Sequence, residues 1–163
     1  SDGASIAAIY AGTHQDHRVC GLVLLAPHFI VEDVSVKSIA EAGEAYNNGD
    51  LRARLAQYHA NVDMAFRGWN DVWAENNFRQ WNISEELAYI RVPILIVQGE
   101  DYQCGTARQI EIAKEECYCP VEVALLPGVK HQPQREGAEV TLKAITDFVG
   151  RVLRDDREQF SAA

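Results

Sequence analysis

Apolar residues along the chain fall into three short runs that predict buried strands. Residues 19–27 are almost continuously apolar and end at a proline, and similar runs occupy residues 92–99 and, more weakly, 121–126. A strand that is apolar at successive positions is buried on both faces, which is typical of a parallel sheet covered by helices. The pattern therefore predicts three parallel strands.

Helical patterns alternate with these strands. Residues 4–12 combine good helix formers with small side chains and stop at a glycine, residues 107–116 suit a helix, and residues 136–153 carry apolar side chains near helical spacing. The apolar residues of this last segment are Val140, Ile145, Phe148, Val149 and Val152. Alternation of strand and helix predicts an α/β fold with right-handed crossovers.

A long insert, about residues 33–90, separates the first two predicted strands. After a break at residues 47–50 its apolar positions follow a helical stripe, which comprises Leu51, Leu55, Tyr58, Val62 and Phe66. The prediction is a single α/β domain, residues 1–163, with a three-stranded, mainly parallel sheet flanked by helices and a helical cap insertion. The polar tail, residues 155–163, is expected to fray.

Composition narrows the classes of partner. A length of 163 residues suits one domain with its own core, and the formal charge of −9 without any Lys/Arg cluster disfavours nucleic acids and anionic membranes. No apolar run approaches the roughly 20 residues that span a bilayer, and the first residues lack the features of a signal peptide. We expect a soluble, cytoplasmic protein that binds neither nucleic acid nor membrane.

The cysteines favour neither a disulfide scaffold nor a metal site. Cys20, Cys104, Cys117 and Cys119 are few and irregularly spaced, so reduced thiols are expected. A zinc site would need a second ligand pair at a fixed spacing, and the sequence has none. No glycine-rich phosphate loop is present either, so no metal and no cofactor are predicted.

Four segments together resemble a known family, the α/β-hydrolases, and especially small esterase-like bacterial members with a Gly-His-Ser-Asp-Gly elbow. The segments are residues 1–7 (SDGASIA), 16–28 (DHRVCGLVLLAPH), 91–99 (RVPILIVQG) and 127–133 (PGVKHQP). They run from one end of the chain to the other, and the cap is the least specific part. The resemblance implies a serine hydrolase that acts on a carboxylic ester or a related acyl substrate.

The resemblance places the nucleophile at Ser1. Such a serine sits on a sharp strand-to-helix turn, and Ser-x-Gly before a helix of small residues fits this need. The tripeptide alone also serves as an ordinary helix N-cap, and only the downstream segments favour the catalytic interpretation. The backbone N–H of Asp2 would then be one oxyanion donor.

The resemblance also places the general base at His131, in the loop between the last strand and the last helix; a solvated loop histidine is the alternative. The acid position departs from the family pattern, because the family usually has Gly-x-x-Asp after the preceding strand and here that position holds Tyr102. Asp101 is the candidate acid, with a solvated turn residue as the alternative, since a shift of one residue reverses the side chain. Glu100 is a third choice.

Aromatic residues of the cap are candidates for a substrate pocket. Trp69 and Trp73, together with Phe66, Phe78 and Trp81, could line an apolar pocket, although packing between cap helices is the more frequent role of such residues. His28 follows the first strand and is a further pocket candidate, with a structural role as its alternative.

Since the resemblance begins at the nucleophile, it implies that the earlier strands and a second oxyanion donor are missing. The edge of a hydrophobic parallel strand would then be exposed, which predicts a homo-oligomer. Two functions stay open: a serine hydrolase that needs a missing N-terminal half or a partner chain, and a noncatalytic remnant that serves as an oligomerising or small-molecule-binding module. A third interpretation, with the α-amino group of Ser1 as base, fits the strand order poorly.

Overall fold

The sheet consists of three parallel strands, as the sequence predicts. The computed structural model describes the backbone of residues 1–161 and the side chains of residues 1–154. β1 (Leu22–Leu25) pairs with β2 (Ile94–Gly99), which pairs with β3 (Val121–Leu126), in the order β1-β2-β3. The predicted fold class, a three-stranded parallel sheet flanked by helices, is confirmed.

Helices fill the connections between the strands. They are α1 (Asp2–His14), α2 (Asp33–Asn48), α3 (Leu51–Leu55), α4 (Val62–Ala74), a 3₁₀ helix (Asn76–Gln80), α5 (Ser84–Leu87), α6 (Arg108–Glu116), α7 (Pro133–Glu136) and α8 (Ala138–Ser161). The helix predicted at residues 136–153 corresponds to α8, which begins at Ala138, and the short α7 that precedes it ends at Glu136. α8 continues through the segment that was expected to fray as far as Ser161, and residues 162–163 lie outside the described part.

The core of the sheet is centred on β2, which is buried at all of its positions. One apolar cluster joins the sheet to α8 and comprises Leu95, Val97, Leu126, Val129 and Phe148. Burial of large apolar side chains of this kind contributes about 1.5–3 kcal/mol each. The predicted apolar face of α8 is only partly correct, because Val140 and Val149 are exposed while Phe148 is buried.

Residues Val31–Trp81 form a compact unit of their own, and residues 1–30 and 82–163 form the other. The core of the Val31–Trp81 unit contains Tyr46, Val62 and Phe66. The single helical stripe predicted from Leu51 to Phe66 is wrong, because α3 ends at Leu55 and α4 begins at Val62. Tyr58 lies in the turn between them and is 72% exposed.

The outer edge of β1 has no strand partner in the described residues. The N–H groups of Leu22 and Ala26 donate to the carbonyls of Pro93 and Val97, so even-numbered positions of β1 face β2. Backbone groups of a strand point alternately to either side, and Val23 and Leu25 therefore face the other edge. There the carbonyl of Leu25 accepts a hydrogen bond from the amino nitrogen of Ser1, at 2.5 Å.

A candidate active site at the carboxyl end of the sheet

Ser1 lies at the carboxyl end of β1, where α1 begins. It is the N-cap residue of α1, and its carbonyl accepts from the N–H of Ala4 at 2.7 Å. The first N–H groups of a helix have no partner within the helix, so those of Asp2 and Gly3 are available to an anion near Ser1. α1 buries Ala4, Ala8 and Ala11, small residues that allow its close approach to the sheet.

His131 lies in the loop between β3 and α7, and this loop is fixed by backbone contacts. Gly128 has φ of 72°, a conformation that favours glycine, and turns the chain after β3. The carboxylate of Glu136 accepts from the N–H of Lys130 at 2.6 Å and of Gln132 at 3.2 Å, on either side of the histidine. This role of Glu136 was not predicted from the sequence, although a glutamate in the first turn of a helix often accepts hydrogen bonds from the N–H groups that precede the helix.

Ser1 and His131 line the same cleft, which has a volume of about 450 Å³. Its other lining residues are Gly3, Ala4, Ala7, Val23, Leu25, Gln132 and Gln134. The cleft therefore has apolar walls from α1 and β1, with amide groups next to the histidine. Two residues that are 130 positions apart in the sequence meet here because parallel strands bring their carboxyl ends to one edge of a sheet.

The surroundings of His131 favour its neutral form. Burial lowers the pKa of His131 below its ordinary value, and the negative charges of Glu136 and Asp2 oppose this effect. A neutral imidazole is the form that accepts a proton. The Nδ1 atom of His131 is buried and has no hydrogen-bond partner among the described residues.

The residue beside His131 is Tyr102. The ring of Tyr102 is buried and stacks on His131, with a centroid distance of 5.4 Å and an interplanar angle of 17°. Its hydroxyl hydrogen-bonds to Nε2 of His28 at 2.6 Å. Asp101, the acid candidate, is exposed, and no hydrogen bond joins it to His131 in the part of the chain described; its N–H donates to Val129 at 3.0 Å.

His28 is buried at 4% exposure and does not line the cleft that holds Ser1 and His131. The segment after it is held by Gln109, whose side-chain oxygen accepts from the N–H of Phe29 at 2.7 Å and whose amide donates to the carbonyl of Ile30 at 3.1 Å. His28 and Tyr102 thus form a buried pair behind His131. Tyr102 departs from the family pattern in the sequence, but its contacts with His28 and His131 were not predicted.

The pocket candidates of the cap contact other aromatic residues of their own unit. Trp69 lies edge-on to Phe66, with centroids 5.7 Å apart. Trp73 is buried and lies 4.9 Å from Phe78 and 6.1 Å from Trp81, measured between ring centroids. These contacts are what packing between cap helices requires, and a pocket role for Trp69 and Trp73 stays a prediction.

Two further properties of the described residues bear on the site. No group of three or more His, Cys, Asp or Glu side chains in the described part of the chain could hold a metal ion. None of the helices in that part is long and apolar enough to cross a membrane.

Comparison with known proteins gives structural matches only: no family model and no curated protein matches the sequence. Similar solved structures include a carboxylesterase of the thaumarchaeon Nitrososphaera gargenis, with a TM-score of 0.72, 16% identity and coverage of 95% of this chain and 64% of that one. A serine hydrolase involved in carbazole degradation has a TM-score of 0.68 and 17% identity, with coverage of 92% and 61%.

A third match is an alpha/beta hydrolase enzyme from a Medee basin deep-sea metagenome library, with a TM-score of 0.61 and 16% identity. The match covers 91% of this chain and 62% of that one. This chain thus spans about three fifths of the length of these solved structures. At such identities the likeness concerns the fold, and the chain has the fold of the α/β-hydrolases.

Proposed function

We propose that this chain carries the nucleophile and the base of a serine hydrolase that acts on carboxylic esters or related acyl compounds. The observation that supports the proposal is the shared cleft, which is lined by Ser1, at the start of a helix, and by His131. In this proposal Oγ of Ser1 attacks the acyl carbon while His131 takes the hydroxyl proton. The resulting oxyanion lies against the N–H groups of Asp2 and Gly3.

His131 then returns the proton to the leaving alcohol, and a water molecule, deprotonated by the same histidine, hydrolyses the acyl-enzyme. Burial lowers the pKa of His131, which favours the neutral imidazole, the form that accepts the proton. The apolar walls of the cleft, including Ala7 and Leu25, favour a short acyl chain next to the nucleophile. Asp101 remains the acid candidate, and it would reach His131 only after a change in its loop.

The experiment compares hydrolysis of short-chain p-nitrophenyl esters by the parent protein with that by Ser1→Ala and His131→Ala. Matched controls are Ser84→Ala and His17→Ala, which change the same residue types away from the cleft. Loss of a general base lowers the rate by about 100- to 10,000-fold, so both cleft variants should lose turnover while both controls keep it. Equal turnover in all five proteins would contradict the proposal.

A second function, that of a noncatalytic binding module, is favoured by Tyr102, because its ring stacks on the face of His131 and no carboxylate among the described residues bonds to Nδ1 of that histidine. A fluorophosphonate probe distinguishes the two functions, since it reacts only with an activated serine. Labelling that disappears in Ser1→Ala and persists in Ser84→Ala supports a hydrolase. Absence of labelling in a folded protein supports the binding module.

A further inference from the structure

A second cluster of reactive groups lies in the connection between α6 and β3, outside the cleft. Cys117 is the C-cap residue of α6, and its N–H donates to the carbonyl of Ala113 at 3.1 Å. Pro120, which precedes β3, accepts from the N–H of Ile94 at 2.9 Å. Both ends of the Cys117–Tyr118–Cys119 segment are therefore anchored to regular structure, which limits the positions that the two thiols can take.

The two thiols contact each other. The chain bends at Tyr118 and Cys119, and a side-chain hydrogen bond joins the sulfur atoms of Cys117 and Cys119. Residues two apart span at most about 7 Å even in a fully extended chain, and disulfides form at Cα separations of about 4.4–6.8 Å. A bent segment whose two thiols are hydrogen-bonded to each other therefore needs little backbone movement to close a disulfide.

The pair is also accessible and asymmetric. Both cysteines are half-buried, and Tyr118 between them is 86% exposed, so a small reagent can reach the segment from solvent. The hydrogen bond from Cys117 and the positive charge of Arg91 lower the pKa of the Cys119 thiol, whereas the same hydrogen bond raises the pKa of Cys117. Cys119 is thus the better nucleophile. Cys117 supplies the second sulfur, which can close the disulfide.

We propose that Cys117 and Cys119 form a dithiol site that exchanges with small-molecule disulfides. The thiolate of Cys119 attacks one sulfur of the disulfide, breaks its S–S bond and expels one thiolate, which takes up a proton. The sulfur of Cys117 loses its proton, attacks the sulfur of Cys119 and expels the second thiol. The protein loses two electrons and two protons, and the small molecule is reduced to two thiols.

A disulfide between residues two apart closes a short ring, so it removes little conformational entropy from the unfolded chain and adds little stability. Thiol reductants should therefore reopen it readily. The experiment incubates the protein with oxidised glutathione and follows the tryptic peptide of residues 115–130, which contains both cysteines, by mass spectrometry without reduction. We expect this peptide to lose the mass of two hydrogen atoms and to regain it with dithiothreitol. Cys20 and Cys104, which have no neighbouring cysteine in the sequence, can only gain glutathione.

Two variants test the division of roles. In Cys117→Ser the hydroxyl keeps a hydrogen-bond donor beside Cys119, so we expect one stable glutathione adduct on Cys119, formed at the parent rate. In Cys117→Ala the donor is lost and we expect slower formation of the same adduct at neutral pH. Two glutathione adducts on the parent peptide, no reaction at all, or equal rates in these two variants would overturn the proposal. Circular dichroism of each variant establishes that it is folded.

Discussion

The ring of Tyr102 stacks on the imidazole of His131 at a centroid distance of 5.4 Å, while its hydroxyl hydrogen-bonds to His28 at 2.6 Å. A tyrosine therefore performs the positioning of His131 by contact with its face, and no carboxylate in the described residues bonds to Nδ1. Tyr102 thus orients the imidazole ring, but it supplies no negative charge that would stabilise the protonated form of His131. An imidazole that gains a proton here has no adjacent counterion on that nitrogen.

Tyr102→Phe should lower stability without moving His131. The substitution keeps the stacked ring and removes the hydroxyl that bonds to buried His28. Loss of one partner of a buried hydrogen bond costs about 1–3 kcal/mol in the free energy of unfolding. Urea denaturation measures this cost, and Tyr89→Phe, at a 55% exposed position, is the control that should change little. Equal stability of the two variants would contradict the role assigned to the Tyr102 hydroxyl.

His131 should titrate below the ordinary value of 6.5. Burial disfavours the charged imidazolium in the folded state, so between the lowered pKa and 6.5 the unfolded chain binds more protons than the folded one. Stability should therefore rise with pH through that window, and His131 should add no further pH dependence above it. The measurement is an NMR titration of the histidine ring protons, with His131→Gln to assign the resonance. A midpoint at or above 6.5 would contradict the dominant effect of burial on His131.

Gly99→Ala should be strongly destabilising. A Cβ at Gly99 would lie 1.9 Å from the carbonyl oxygen of Val129, which belongs to the loop that carries His131. The backbone of that loop must move, and the expected loss is about 3 kcal/mol or more. Thermal melting measures the loss.

The control for this substitution is Gly68→Ala. Gly68 lies within α4, and a Cβ there would meet no atom within 4 Å. Alanine in a helix interior is favoured over glycine by about 1 kcal/mol, so this variant should be more stable than the parent. A Gly99→Ala protein with the parent melting temperature would show that the His131 loop is free to shift.

The open edge of β1 should promote self-association. The carbonyl of Leu25 is taken by Ser1, but the backbone groups of Val23 have no strand partner among the described residues, and such an apolar edge is a template for pairing with a second copy of the chain. Light scattering over a range of concentrations should show dimers or larger species. A monodisperse monomer of the parent protein at high concentration would contradict the expectation.

The sequence alone determined the three strands and the helices between them, because each depends on a local pattern. β1, β2 and β3 all lie within the predicted apolar runs, since burial on both faces leaves an uninterrupted apolar signal. Segments in which apolar side chains lie near helical spacing without being buried were less well predicted. Tyr58 and Val140 continue an apolar pattern and are exposed, because periodicity does not report which face is covered.

Only the tertiary structure decided which side chains meet. Ser1 and His131 come to one cleft through the parallel order of the strands, which brings distant segments to the same edge. Whether Asp101 or Tyr102 faces His131 depends on the turn after β2, where neighbouring side chains point in opposite directions. The sequence could identify both residues as candidates, but the direction of each is fixed by the contact of Gly99 and Asp101 with the loop of Val129.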